Sequence, residues 1–408
     1  MSKVNKQTNQ VLYLYAATLL GTLLGVFASI VNTRNLSPTH YGDLRYVQNI
    51  INFIATLLLF GYFLSGSRLL ALSKNEQNSR RIRGVLVIIL GVSVIILILG
   101  ILLCALLHAN KPIISNLFLI SIPVCAFPLL NNYVNTVAQG DNHIGRLAIA
   151  RILPYALYVP SAYFIFSRYG ATSSNMMLLQ WGIYSFVLLI IVVSTRPTFT
   201  GLKQTFINLN TENKNYGIQL YYGSLAMLAT NYIAGVTLGA FNQDNVNVGF
   251  YTLALTITSP LVMLPGIVGT TYFKQFAVLE KIPPKVMLYT ILITTVSCGL
   301  FILLIRPLVT FLYDESYASV GVYASWMAIG FCVHGIGDML NRYLGSHGLG
   351  RLIRNSSFIC GFIRIIGFTL FVYLWDVIGA IITTVLSSIV YTIVLLLYYK
   401  REINLNEI

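Results

Sequence analysis

Long apolar runs alternate with short polar connections along the whole chain. A helix rising 1.5 Å per residue needs about 20 apolar residues to cross a hydrocarbon core about 30 Å thick. Twelve segments approach that pattern: 11–33, 46–67, 84–107, 112–139, 147–167, 175–195, 216–241, 247–273, 286–312, 319–344, 352–375 and 377–399. Most are free of charge, but the fifth opens on Arg151 and the eleventh encloses Arg364. The pattern predicts an all-α integral membrane protein. The first run is long, follows a polar start and shows no small-residue cleavage site, so it is expected to stay as the first helix.

Composition agrees. Apolar residues make up 56% of the 408 and charged residues 9%, against about 25% charged in soluble domains. The net charge of +14 would suit nucleic acid, but its distribution does not. With the N-terminus inside, twenty of the 26 Lys and Arg fall in inner loops, among them Arg80, Arg81, Arg83, Arg146 and Arg196. That asymmetry is the positive-inside pattern of a multi-pass protein with both termini in the cytoplasm. The five cysteines sit in apolar segments without metal-ligand or disulfide spacing.

The longest polar connection runs from about Arg196 to Tyr216. It divides the chain into an N-terminal six-helix lobe (1–195), a cytoplasmic linker (196–215) and a C-terminal six-helix lobe (216–408). Transporters are often built from two such repeats. Aligning Gly42 with Gly249 sets VNTRNLSPTHYGDLRY beside LGAFNQDNVNVGFYTL, which match in element order more than in residues.

The chemistry follows from where polar groups enter the apolar runs. All twelve acidic residues lie in loops or within two turns of a helix end. No carboxylates cluster for a divalent ion or pair for hydrolysis, so enzyme chemistry is disfavoured and no metal or cofactor is expected. Arg364 stands near mid-membrane, where an arginine costs about 2.5–3.5 kcal/mol on insertion scales and so needs a partner, a wet cavity or an anionic ligand. No acidic residue is expected at its depth. Asp338 and Arg342, four apart on one helix, are expected to pair, His334 to be a lone packing residue, and Arg68 to snorkel to the interface. Arg151 lies one turn inside a helix that Pro154 and Pro160 should bend. Asn131, Asn135 and Gln139 share a helix face, and the 26 tyrosines add aromatic faces. Amides and aromatic rings suit sugar hydroxyls and ring C–H surfaces, though helix–helix hydrogen bonding uses the same groups.

Between the first two runs stand Arg34, Leu36, Pro38, Tyr41 and Gly42. An Arg followed by Leu-x-Pro-x-x-Tyr-Gly resembles the Wzx-type polysaccharide flippases of the multidrug/oligosaccharidyl-lipid/polysaccharide exporter superfamily. NVNVGFYTLALTITSPLVMLP from Asn245 and RPLVTFLYDESYASV from Arg306 are similar to later elements of that family. The resemblance implies two six-helix bundles, MATE- or MurJ-like, around a central cavity. It implies a flippase of the bacterial inner membrane that moves a polyprenyl-pyrophosphate-linked oligosaccharide to the outer leaflet for O-antigen or another surface polysaccharide, beside other polysaccharide-assembly membrane proteins. A monomer is expected, because the cavity would form within one chain. The family often carries an acidic residue in helix seven where this chain has Asn231, so no ion-coupling role transfers there. The candidate substrate-binding residues are Arg364, Arg34, Arg151, Asn131, Asn135 and Asn231. A drug or cation antiporter and a membrane enzyme of polysaccharide assembly, a polymerase or ligase, are the alternatives.

Overall fold

Every apolar run folds as helix in a computed structural model of the chain. It describes residues 3–73, 75–141, 143–228 and 230–406, with side chains described outside 3–12, 15, 223, 224, 226–228, 230, 231, 274 and 404–406. In order come α1 (Lys3–Asn35), α2 (Pro38–Leu57), α3 (Tyr62–Leu72), α4 (Glu76–Leu107), α5 (Pro112–Ser121), α6 (Phe127–Gly140), α7 (Ile144–Tyr169), α8 (Ser173–Ser194) and α9 (Leu202–Glu212). Then follow α10 (Ile218–Leu228), α11 (Thr230–Phe241), α12 (Val246–Thr258), α13 (Pro260–Thr271), α14 (Phe273–Phe276), α15 (Pro284–Tyr313), α16 (Ala318–Ser346) and α17 (Gly350–Asn406). No strand occurs among the described residues.

Eight helices are long and apolar enough to cross a membrane, and two bent pairs raise the number to ten. α17 accounts for one more: its 57 residues break at Asp376, whose φ of 52° and ψ of −133° no α-helix contains. The expected twelve-helix arrangement fits these spans, because breaks inside helices lower the simple count.

The breaks have local causes. α2 and α3 meet at 57°, where Phe60 (φ 44°) and Gly61 (φ 78°) take the left-handed conformation. A β-carbon at Gly61 would also collide with the Gly217 backbone. α5 and α6 meet at 40° across a segment flanked by Pro123 and Pro128, each lacking the N–H that would continue the ladder.

The chain forms two units. One comprises Met1–Leu36 and Val47–Tyr232, the other Ser37–Tyr46 and Ile233–Ile408. The connector read as a linker at 196–215 is largely ordered in the first unit. α9 and a π-turn (Asn213–Gly217) pack on α3. Arg68 donates from Nη1 to Glu212 Oε1 at 2.5 Å, and its guanidinium lies 4.6 Å from the Tyr216 ring centre. Arg68 is therefore committed to this connector, which the snorkelling expectation did not foresee. Tyr62 and Ser65 add hydrogen bonds to Asn210 and Asn213.

In the first unit α1 lies along α7, and α8 packs on both α6 and α7. With lipid on the outside, such packing rests on close approach more than on water release. Gly21 is the point of closest approach, since a β-carbon there would sit 2.7 Å from the Arg151 carbonyl oxygen. Gly21→Val is expected to push α1 off α7 and destabilise the protein by about 1–3 kcal/mol, the usual cost of overpacking. Fluorescence-detected thermal melting in detergent checks this.

In the second unit α16 is the hub, touched by α12, α13, α15 and α17. Its buried positions include Gly321, Ala324, Ala328, Gly335 and Gly337, small residues that admit neighbouring backbones. Ser37–Tyr46 is held here by Asn245, which donates from Nδ2 to Asp43 Oδ1 at 2.8 Å. Asp376 accepts from Asn242 Nδ2 at 2.6 Å and from Asn247 Nδ2, which pins its strained turn.

Candidate functional site

α1, α6, α7 and α8 enclose a cavity of about 250 Å³ inside the first unit. α7 contributes Arg151, Pro154 and Tyr155, α6 contributes Phe127, Asn131 and Asn135, α1 contributes Thr18 and Thr22, and α8 contributes Tyr184. The spacings explain the convergence. Thr18 and Thr22 are four apart, as are Asn131 and Asn135 and also Arg151 and Tyr155, so each pair shares one helix face. Gly21 keeps the α1 backbone low enough for Arg151 to reach across. Pro154 cannot donate to the Ala150 carbonyl, and Ala150 also lines the cavity.

The polar groups are ordered. Arg151 donates from Nη1 to Thr18 Oγ1, whose own hydrogen goes to the Leu14 carbonyl at 2.7 Å. Asn135 Nδ2 donates to Asn131 Oδ1 at 2.9 Å and to the Asn131 carbonyl at 2.8 Å. Tyr184 stands at the centre of an aromatic cluster, 5.0 Å from Tyr155, 5.2 Å from Phe127 and 5.9 Å from Tyr158. Tyr158 donates to Asn32 Oδ1 at 2.5 Å, while Gln180 donates to the Tyr184 oxygen at 3.4 Å. Among the described residues no carboxylate forms an ion pair with Arg151. The guanidinium keeps donors for an anion, beside amides and phenols able to hydrogen-bond hydroxyls.

The second unit holds a different arrangement around Arg364. Its Nε donates to Ser387 Oγ at 3.2 Å. Asp338 accepts from Tyr391 at 3.1 Å, and His334 Nε2 lies 4.0 Å from the Asp338 carboxylate. The Tyr391 ring stacks on His334 at 4.5 Å. Asp338 takes its hydrogen bond from α17 and also stands within electrostatic reach of Arg342, the partner expected for it. One expectation is corrected: Arg364 has an acidic residue within electrostatic reach, since α16 carries Asp338 near it. His334 packs as expected, but against the Tyr391 ring beside Asp338.

Of the six residues singled out from sequence, Arg151, Asn131 and Asn135 meet in one cavity. Arg364 belongs to the other unit. Arg34 is exposed at the end of α1 and does not line the cavity. The side chain of Asn231 lies outside the described residues. Thr18, Thr22 and Tyr184 were missed; the four-residue spacing of the threonines in an otherwise oily run was the available signal. The neighbouring Arg45 donates from Nε to the Tyr41 oxygen at 2.9 Å.

Comparison with known proteins bears on the whole architecture. Residues 8–273 match a family described as polysaccharide biosynthesis protein. No curated protein matches. Among solved structures, lipid II flippase MurJ in an inward closed conformation is 16% identical with a TM-score of 0.72, over 96% of this chain and 87% of that one. An inward-facing multidrug resistance MATE family transporter of the MOP superfamily is 13% identical with a TM-score of 0.69, over 96% and 98%. A Vibrio cholerae MATE transporter, VcmN, is 12% identical with a TM-score of 0.62, over 97% of both chains. The fold is thus that of MOP-superfamily transporters, as the sequence led one to expect.

Proposed function

The chain belongs to the polysaccharide biosynthesis protein family, and on that premise we propose that it is a flippase for a polyprenyl-pyrophosphate-linked oligosaccharide. It carries this lipid from the cytoplasmic to the outer leaflet of a bacterial inner membrane by alternating access, for O-antigen or another surface polysaccharide. It works as a monomer with both termini in the cytoplasm. The observation that carries this reading is the first unit's cavity, where Arg151 has a hydroxyl and not a carboxylate as its partner. Arginine donors grip phosphate oxygens in pairs, while the amides of Asn131 and Asn135 and the rings of Tyr155 and Tyr184 suit glycan hydroxyls and C–H faces. Arg364 is the candidate cation of the second unit, bonded to Ser387 there. The fold shared with a lipid II flippase supports the same assignment.

One observation favours a second reading. Asp338 is a carboxylate held between α16 and α17 in the second unit, with His334 Nε2 4.0 Å away, and a helix carboxylate is what a drug or cation antiporter would use for coupling.

Proteoliposomes separate the two. They are loaded with a polyprenyl-pyrophosphate oligosaccharide, and an impermeant glycosidase reports glycan that reaches the opposite leaflet. Protein-dependent translocation above empty liposomes is the expected result. If glycan stays in place while a proton or sodium gradient drives efflux of a cationic dye, the antiporter reading replaces it.

A further inference from the structure

A second polar cavity, of about 270 Å³, opens at the end of the first unit where α4 and α7 begin and α8 stops. Arg80, Arg83, Arg146 and Arg196 line it together with His143, and Glu76 is its one carboxylate. This charge is more than a topology signal, because the four arginines are not equally occupied. Arg83 is saturated: Nε and Nη2 grip Asp141 at 2.9 and 3.0 Å, and Nη1 donates to the Thr195 carbonyl at 2.9 Å and to Glu76 at 3.1 Å. Arg80 makes one longer bond, 3.3 Å, to the same Glu76 oxygen. Arg146 donates from Nη2 to the Ser194 carbonyl at 3.3 Å, and its Nη1 is buried with no hydrogen-bond partner. Arg196 is held at a φ of 50°, a left-handed conformation that costs a non-glycine residue on the order of 1 kcal/mol.

The backbone adds to the cationic balance. α7 begins without a side-chain cap, so its first N–H groups, between His143 and Arg146, bring the partial positive charge of a helix start. The segment that carries Arg196 is fixed on three sides: Arg83 holds Thr195, Arg146 holds Ser194, and the Thr198 N–H donates to the Arg80 carbonyl at 3.0 Å. A rigid cradle with surplus positive charge and an unused buried donor is built for an anion.

We propose that this pocket binds a phosphate group, supplied by the headgroup of an anionic phospholipid. Arg146 and Arg196 are its ligands, and Arg83 is the strut that shapes it. Three membrane-length helices end here, which places the pocket at the level of lipid headgroups. The volume suits a headgroup phosphate. The proposal is independent of the transport reading.

The test uses the full-length protein in uncharged detergent. Binding of short-chain phosphatidylglycerol, short-chain phosphatidylcholine and inorganic phosphate is measured by native mass spectrometry and by ligand-induced rise of the melting temperature. Wild type is compared with R146Q/R196Q, with R146K/R196K and with R151Q. The expected result is phosphatidylglycerol binding at least tenfold tighter than phosphatidylcholine, reduced at least tenfold in R146Q/R196Q, partly restored in R146K/R196K and retained in R151Q. Inorganic phosphate bound as tightly as phosphatidylglycerol, and lost in the same variant, would support the phosphate site but overturn the lipid as its source. Equal binding by wild type and a folded R146Q/R196Q, or loss only in R151Q, would overturn the site. The lysine variant reports on the pocket even if the glutamine variant fails to fold.

Discussion

Arg151→Gln is expected to lower glycan translocation by about 10–100-fold while the protein stays folded. Hydrogen bonds to charged groups contribute about 1.5–3 kcal/mol, and 1.4 kcal/mol is a factor of ten. Glutamine can still donate to Thr18 Oγ1, so the contact between α1 and α7 survives while the charge does not. The same substitution removes an arginine from the membrane interior, which is itself unfavourable there, so its melting temperature should hold or rise. That combination, greater or equal stability with lost transport, marks a group kept for a ligand. The proteoliposome assay with equal protein incorporated measures it, and translocation at the wild-type rate would remove Arg151 from the substrate path. Asn135→Leu, which breaks the paired amides, should have a smaller effect of a few-fold.

The largest loss of stability is expected from Arg83→Ala. Arg83 and Asp141 are 4% and 5% exposed and joined by two hydrogen bonds. Removing the arginine leaves a buried carboxylate uncompensated, which costs about 3–5 kcal/mol. It also strips the Thr195 carbonyl of a donor. Replacing both residues by leucine should recover most of the loss, because a buried ion pair and an apolar pair of similar size are often close in energy. Melting curves of the two single variants and the double variant give the coupling directly. If the double variant melts no higher than Arg83→Ala, the damage lies in the Thr195 and Glu76 bonds rather than in the buried charge.

The helices were legible because lipid allows one solution per apolar run. Their interruptions were harder to see. The span 46–67 reads as one helix, and only the conformations of Phe60 and Gly61 divide it. Nothing in that stretch resembles a proline break. In the site, the residue types were visible and their meeting was not. Arg151, Asn131 and Asn135 are conspicuous in oily surroundings, but so is Arg364, which belongs to the other unit. Sequence distance cannot tell which polar residues converge when four helices supply them. Thr18 and Thr22 were hidden for another reason: a threonine that bonds its own helix carbonyl four residues back is an ordinary membrane residue, and both do so. For Asp338 the four-residue spacing names a partner on its own helix, while its bond from Tyr391 comes from tertiary packing that spacing does not show.

The bond between Asn245 and Asp43 spans 202 residues, and that separation has a meaning in time. Chains are made at about 5–20 residues per second, so Asp43 leaves the ribosome roughly 10–40 s before Asn245 exists. For that interval the segment Ser37–Tyr46 has been synthesised and its unit has not. Its carboxylate, buried at the end, must first sit in water or against whatever inserts the chain. The second unit therefore cannot be completed from the chain after Tyr232 alone. A late-made half waits for an early-made piece, and the interval between them is when this protein is most exposed to misassembly and to proteases.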